Sequence, residues 1–124
     1  MSERDTEPME NQAPIVKLVR AILDQSIVDG ATKICLTHTK TSLRIDFFIE
    51  GSWKEAITVP KNLQNPFTRR LEIMAEISTE PKRLPHEGTI PWEHGQGKFN
   101  FRVLAISAHG GDVLLLERLT ESAD

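Results

Sequence analysis

The residues best equipped for chemistry stand close together in Lys82-Arg83-Leu84-Pro85-His86-Glu87-Gly88, where two cations, an imidazole and a carboxylate surround a rigid Leu-Pro pair. Held in a cleft, such groups could bind an anion or pass protons. Glu80 and Glu87 would be the paired carboxylates of that chemistry, but sequence spacing brings no cleft with it. A solvated loop carries the same charges without any chemistry.

Other motifs offer less. A metal centre needs converging ligands, and His38, His86, His94 and His109 stand singly at strand ends or turns, with no Cys-x-x-Cys or His-x-x-x-His pair. No metal and no cofactor is assigned. Cys35, the single cysteine, reads as mid-strand on a packed face, away from an activating base. Ser107-Ala108-His109-Gly110-Gly111-Asp112 has the glycines of a phosphate cradle but leads into a strand and lacks Gly-Lys-Ser/Thr, so it reads as a hairpin turn. Val113-Leu114-Leu115-Leu116-Glu117 is apolar at consecutive positions, as in an inner strand buried on both sides. No residue is assigned to catalysis, and an enzyme is not expected.

The elements that would position these groups follow from periodicity. Ile15, Val19, Ile22 and Val28, broadened by Leu18 and Leu23, form one stripe at helical spacing, with Pro14 suited to the first turn and Gly30 to a left-handed end. Ile34, Leu36 and His38 alternate against Lys33, Cys35 and Thr37. Leu43, Ile45, Phe47 and Ile49 alternate against Arg44, Asp46, Phe48 and Glu50, and Gly51-Ser52 reverses the chain into a third strand from Trp53. Pro60 ends that strand. Asn65 and Pro66 then read as the cap and first turn of a second helix that faces Phe67, Leu71, Met74 and Ile77 inward. A short strand limited by Pro91, a long one through Phe99 and Arg102, and the leucine-rich one complete the order α-β-β-β-α-β-β-β. That order fits an α+β fold with helices on one face of a mostly antiparallel sheet of about six strands.

The chain of 124 residues is the size of one domain, expected over residues 13–119 between loose tails at 1–12 and 120–124. The net charge of −3 is spread over mixed signs, and there is no tyrosine to stack on bases, so nucleic acid is not an expected partner. No apolar run is long enough for a membrane span. The acidic, polar start is unlike a secretory signal, which together with the lone cysteine favours the cytoplasm.

Taken in register, residues 13–34, Leu43 to Glu55, Arg69 to Ile77, Lys82 to Ile90 and Phe99 to Leu119 resemble the PAS-like domain that precedes the phosphate loop in the ATPases of type II secretion and type IV pilus assembly. The resemblance implies a six-strand antiparallel sheet and a stand-alone, degenerate copy of that domain. The family pattern Gly-Ala-Ser-Asp-Ile-His-Ile-Glu-Pro is kept at Gly30, Ala31 and Ile34, whereas Lys33, Cys35, Thr37 and His38 replace its polar and terminal residues. In the next strand, where family arginines help hold nucleotide, only Arg44 matches, with Asp46 and Phe48 at the other basic positions. In the Arg-x-Pro-Gln-Asp-Gly-Arg turn, Arg83, Pro85 and Gly88 match, but His86, Glu87 and Thr89 do not. The chemistry-rich segment is therefore expected to be scaffold.

Packing positions are retained and polar signatures lost, so the expected function is a non-catalytic protein-interaction or regulatory module. Its partner would be a secretion or pilus ATPase, or a second copy of itself. Phe48 and Trp53 are the candidate partner-binding residues. The alternative is a sensor of a small anionic ligand such as a nucleotide, with Arg44, Arg70, Arg83 and Arg102 as candidate ligand-binding residues.

Overall fold

A computed structural model describes the backbone of residues 3–77, 86–108 and 111–119, and the side chains of residues 14–77, 87–106 and 113–119. Helix α1 (Glu3–Val28) leads into β1 (Lys33–His38), β2 (Ser42–Ile49) and β3 (Ser52–Pro60). A 3-10 turn (Lys61–Leu63) and helix α2 (Gln64–Met74) follow, then β4 (His86–His94), β5 (Gly97–Ala108) and β6 (Gly111–Leu119). All neighbouring strands are antiparallel, in the order β3-β2-β1-β6-β5-β4. The first three strands and the last three thus form two meanders joined through β1 and β6.

Alternation decides which face is buried. Ile34 and Leu36 of β1, Leu43, Ile45 and Phe47 of β2, Leu114 and Leu116 of β6, Phe101 and Val103 of β5, and Ile90 and Trp92 of β4 are buried together with α1 and α2. From the helices come Val19, Ile22 and Leu23, and Phe67 and Leu71. Removing each such aliphatic side chain from water is worth about 1.5–3 kcal/mol, so this face supplies most of the folding free energy.

Several local expectations need correction. Helix α1 begins at Glu3, so Pro14 lies within it rather than at its first turn. Val28 is 64% exposed, and the helix stripe closes instead on buried Ser26, whose hydroxyl donates to the Leu23 carbonyl at 2.7 Å. The β2–β3 reversal uses Glu50 and Gly51, both at positive φ, because Ser52 is already paired with Ile49. Asn65 caps nothing: the chain enters α2 through the 3-10 turn, the cap position is Leu63, and no side chain bonds it. The expected short strand limited by Pro91 runs from His86 to His94, through a proline that the sheet tolerates because β4 is an edge. Strand β6 is central but not buried on both sides, since no helix among the described residues covers the second face and Leu115 is only half-buried there. Cys35 shares that half-buried face rather than the packed one.

One set of bonds ends α1, and two polar links fix the helices on the sheet. The end of α1 is a Schellman motif: Gly30 (φ 77°) donates to Ile27 and Ala31 to Ser26, as expected of a left-handed glycine. Buried Gln64 donates from Nε2 to the carbonyls of Thr39 (2.7 Å) and Ser42 (2.6 Å), tying the start of α2 to the β1–β2 turn. At the β4 edge of the same face, Asp24 of α1 accepts a 2.8 Å bond from the indole N–H of Trp92, and His94 Nδ1 lies 3.2 Å from the same oxygen. Arg20 stacks over the Trp92 ring at 5.2 Å.

Gly88 has a purely steric role. A Cβ there would fall on the Ala75 carbonyl oxygen and within 2.9 Å of Ile77 Cγ1, so β4 can pass the end of α2 only with a glycine at this point. Gly88→Ala is therefore expected to cost about 1–3 kcal/mol in urea unfolding, whereas Glu87→Ala, at an exposed neighbour, should move the midpoint little. Asp24→Ala should cost about 1–2 kcal/mol, because Trp92 would keep a largely buried N–H without its partner. Asp24→Asn, which retains an acceptor, should recover most of that loss in the same assay.

Candidate functional site

The face of the sheet turned away from the helices is the candidate site. Side chains directly opposite on paired strands share a face, so the register defines rows across it. One row crosses all six strands: Trp53, Phe48, Lys33, Glu117, Arg102 and Thr89. The next contains Glu55, Asp46, Cys35, Leu115, Leu104 and Glu87. Thr58, Arg44, Thr37, Val113 and Ile106 form a third.

Phe48 and Trp53 are brought together at the β2–β3 edge. Their ring centroids are 5.1 Å apart and tilted by 59°, a favourable arrangement for an aromatic pair. Lys33 Nζ lies 5.0 Å from the Phe48 centroid, and Trp53 is 48% exposed. The strand beneath is an edge with a bulge: Ile45 pairs with Ile57 but Asp46 with Glu55, leaving Ala56 extra, and Trp53 through Thr58 are all exposed.

The arginines are not gathered in the same way. Arg44 is on β2 and its Nε lies 3.1 Å from Asp46 Oδ2. Arg102 is on β5, with β1 and β6 between the two, and its Nε lies 3.0 Å from Glu87 Oε2. Arg70 is on α2, where its Nε is buried with no hydrogen-bond partner among the described residues. Arg83, with Lys82, Leu84, Pro85, Glu80 and His109, lies outside the described residues. From the Lys82–Gly88 segment, His86 to Gly88 belong to β4, and Glu87 lies on the open face.

A groove of about 470 Å³ runs between α1 and β3, lined by Leu18, Ala21, Phe47, Ile49 and Ile57 and rimmed by Lys54. None of Arg44, Arg70 or Arg102 lines it. Among the described residues no group of histidine, cysteine and carboxylate side chains is placed to hold a metal, and no helix is long and apolar enough to cross a membrane. The residues missed by sequence reasoning are Glu117, Leu104 and Leu115. Strand alternation puts them on one face, but their lateral alignment depends on β1–β6 pairing, which local pattern does not encode.

Comparison with known proteins gives a consistent picture. The family model described as Type II/IV secretion system protein matches residues 8–123. A type IV pilus assembly ATPase, PilB, of Myxococcus xanthus is 34% identical over 113 residues, covering 90% of this chain and 20% of the relative. Type II secretion system ATPase E of Vibrio cholerae is 28% identical over 114 residues, covering 92% and 23%. Type II secretion system protein E of Pseudomonas aeruginosa is 28% identical over 119 residues, covering 96% and 24%. The chain thus spans between a fifth and a quarter of the relatives it matches, and the match lies in their N-terminal domain.

Proposed function

The chain belongs to the type II/IV secretion system protein family, and we propose that it serves there as a non-catalytic module that docks on the ATPase motor of a type II secretion or type IV pilus system. The observation that carries this reading is the Phe48–Trp53 pair, a half-buried Phe48 beside an exposed Trp53 at the uncovered edge of a sheet whose other face is closed by helices. Aromatic side chains that present large rigid area are the anchors on which protein interfaces depend. The 124 residues include no Gly-Lys-Ser/Thr run, so they supply no phosphate loop of their own. Motors of this kind work where ATP is available, so we place the module in the cytoplasm.

Titration calorimetry against the motor domain of a pilus or type II secretion ATPase tests the docking. Trp53→Ala and Phe48→Ala should each weaken binding by about tenfold or more, with little change in unfolding midpoint for exposed Trp53. Absence of binding by the unaltered chain would overturn the reading.

A second reading, sensing of a nucleotide-like anion, draws on Arg70, whose Nε is a donor without an acceptor among the described residues. A ligand bound only by the folded chain must raise its melting temperature. If this reading holds, millimolar nucleotide will raise the melting temperature and Arg70→Ala will remove the increase. Under the docking reading the melting temperature stays unchanged.

A further inference from the structure

The open face is self-complementary about the seam between β5 and β6. Three cross-strand pairs line that seam on the uncovered side: Arg102 with Glu117, Leu104 with Leu115, and Ile106 with Val113. A two-fold axis lying along the seam, between two stacked sheets, would set each residue over the partner that it faces within its own sheet. Glu117 would then meet Arg102 of the second copy, Leu115 would meet Leu104, and Val113 would meet Ile106. Opposite charges meet opposite charges and apolar meets apolar, with no like-charged pair created at the centre.

The ionic part of the face has a matching vacancy. Glu117 is half-buried between two cations on neighbouring strands, yet has no hydrogen-bond or ion-pair partner among the described residues. Lys33 is drawn over the Phe48 ring, and Arg102 uses its Nε on Glu87. A guanidinium carries five donors, so Arg102 retains its terminal nitrogens for a second carboxylate. Ile106 is 38% exposed and Leu104, Leu115 and Val113 are half-buried, an apolar strip that the fold itself leaves wet.

We propose that two copies of this chain associate through the open sheet face, about a two-fold axis along the β5–β6 seam, with reciprocal Arg102–Glu117 ion pairs flanking a Leu104–Leu115 core. Sheets stacked in this way lie about 10 Å apart with their strands nearly aligned. An isologous contact uses the same patch on both partners, and the sign pattern of this patch fits that requirement without a second protein. The association is independent of docking through Phe48 and Trp53.

Light scattering after size exclusion, repeated as concentration is raised, tests it. The unaltered chain should move from the 14.0 kDa monomer towards twice that mass. Arg102→Glu and Glu117→Arg should each weaken association about tenfold or more, because both repeat one charge across the axis. An equimolar mixture of these two variants should recover the association, since each then supplies the charge the other lost. Leu115→Arg should abolish it. Constant monomer mass for the unaltered chain at the highest soluble concentration would overturn the proposal even if a variant failed to fold. Single variants that associate like the unaltered chain, or folded variants that do not rescue each other, would do the same. Motor binding by a monomeric Leu115→Arg variant would support the docking reading separately.

Discussion

The pairing of β1 with β6 is the constraint on which the rest of the structure depends. Five register pairs, from Lys33 with Glu117 to Thr37 with Val113, join two meanders that would otherwise each be a small sheet with two exposed edges. The same junction receives the end of α1. Thr32 donates to the Phe48 carbonyl and accepts from the Arg118 amide, both at 2.9 Å, one residue beyond the motif that terminates the helix. Helix, first meander and last strand therefore meet at one point, and the apolar run of β6 is explained by its place at the centre. Because the contact joins the first strand to the last, it closes a long loop and is expected to form late in folding.

Both helices lie on one side of this sheet, and that asymmetry separates what the fold needs from what it leaves free. Four positions that match the pattern the sequence resembles have structural duties: Gly30 adopts φ 77°, Ala31 and Ile34 are buried, and Gly88 leaves room for the end of α2, while Arg44, which also matches, lies on the open face. Positions that depart from it, Lys33, Cys35, Thr37, Asp46, Phe48, Glu87 and Thr89, all lie on the open face. Their replacement costs the core nothing, so the open face could change its chemistry while the packed face held the fold. His38 departs from the pattern on the packed side, where its Nε2 is buried without a hydrogen-bond partner among the described residues.

Much of this was legible in the sequence, for reasons that also mark where legibility stops. The alternation of Leu43, Ile45 and Phe47 and the helical spacing of Phe67 and Leu71 are strong because burial on one face acts on every second or every third to fourth residue. Phe48 and Trp53 could be named because they flank a short reversal, although the turn itself shifted by one residue to Glu50-Gly51. Asn65 misled because a cap is recognised from one local residue, while the actual anchor is Gln64, which reaches carbonyls 25 and 22 positions away. The Asp24–Trp92 bond spans 68 positions and leaves no local trace. The alignment of Glu117 with Arg102 and Lys33 required strand order, which two hairpins alone do not determine.

The geometry of the open face also bears on the kind of chemistry it can support. In a sheet, neighbouring side chains stand about 4.8 Å apart across strands, close enough to pair with one another. They rise from a broad surface, however, and cannot converge from several directions on one small reacting group as the walls of a cleft can. Arg44 with Asp46 and Arg102 with Glu87 accordingly meet each other, and both pairs remain substantially exposed at their arginines. Such pairs contribute little to stability in water, but covering them with a matched surface shields them from solvent and makes their placement count. A broad face of alternating charge beside an apolar strip is thus better suited to recognising another broad face than to transforming a small molecule. The arrangement of the residues across this face is the physical ground of the proposed contact with protein.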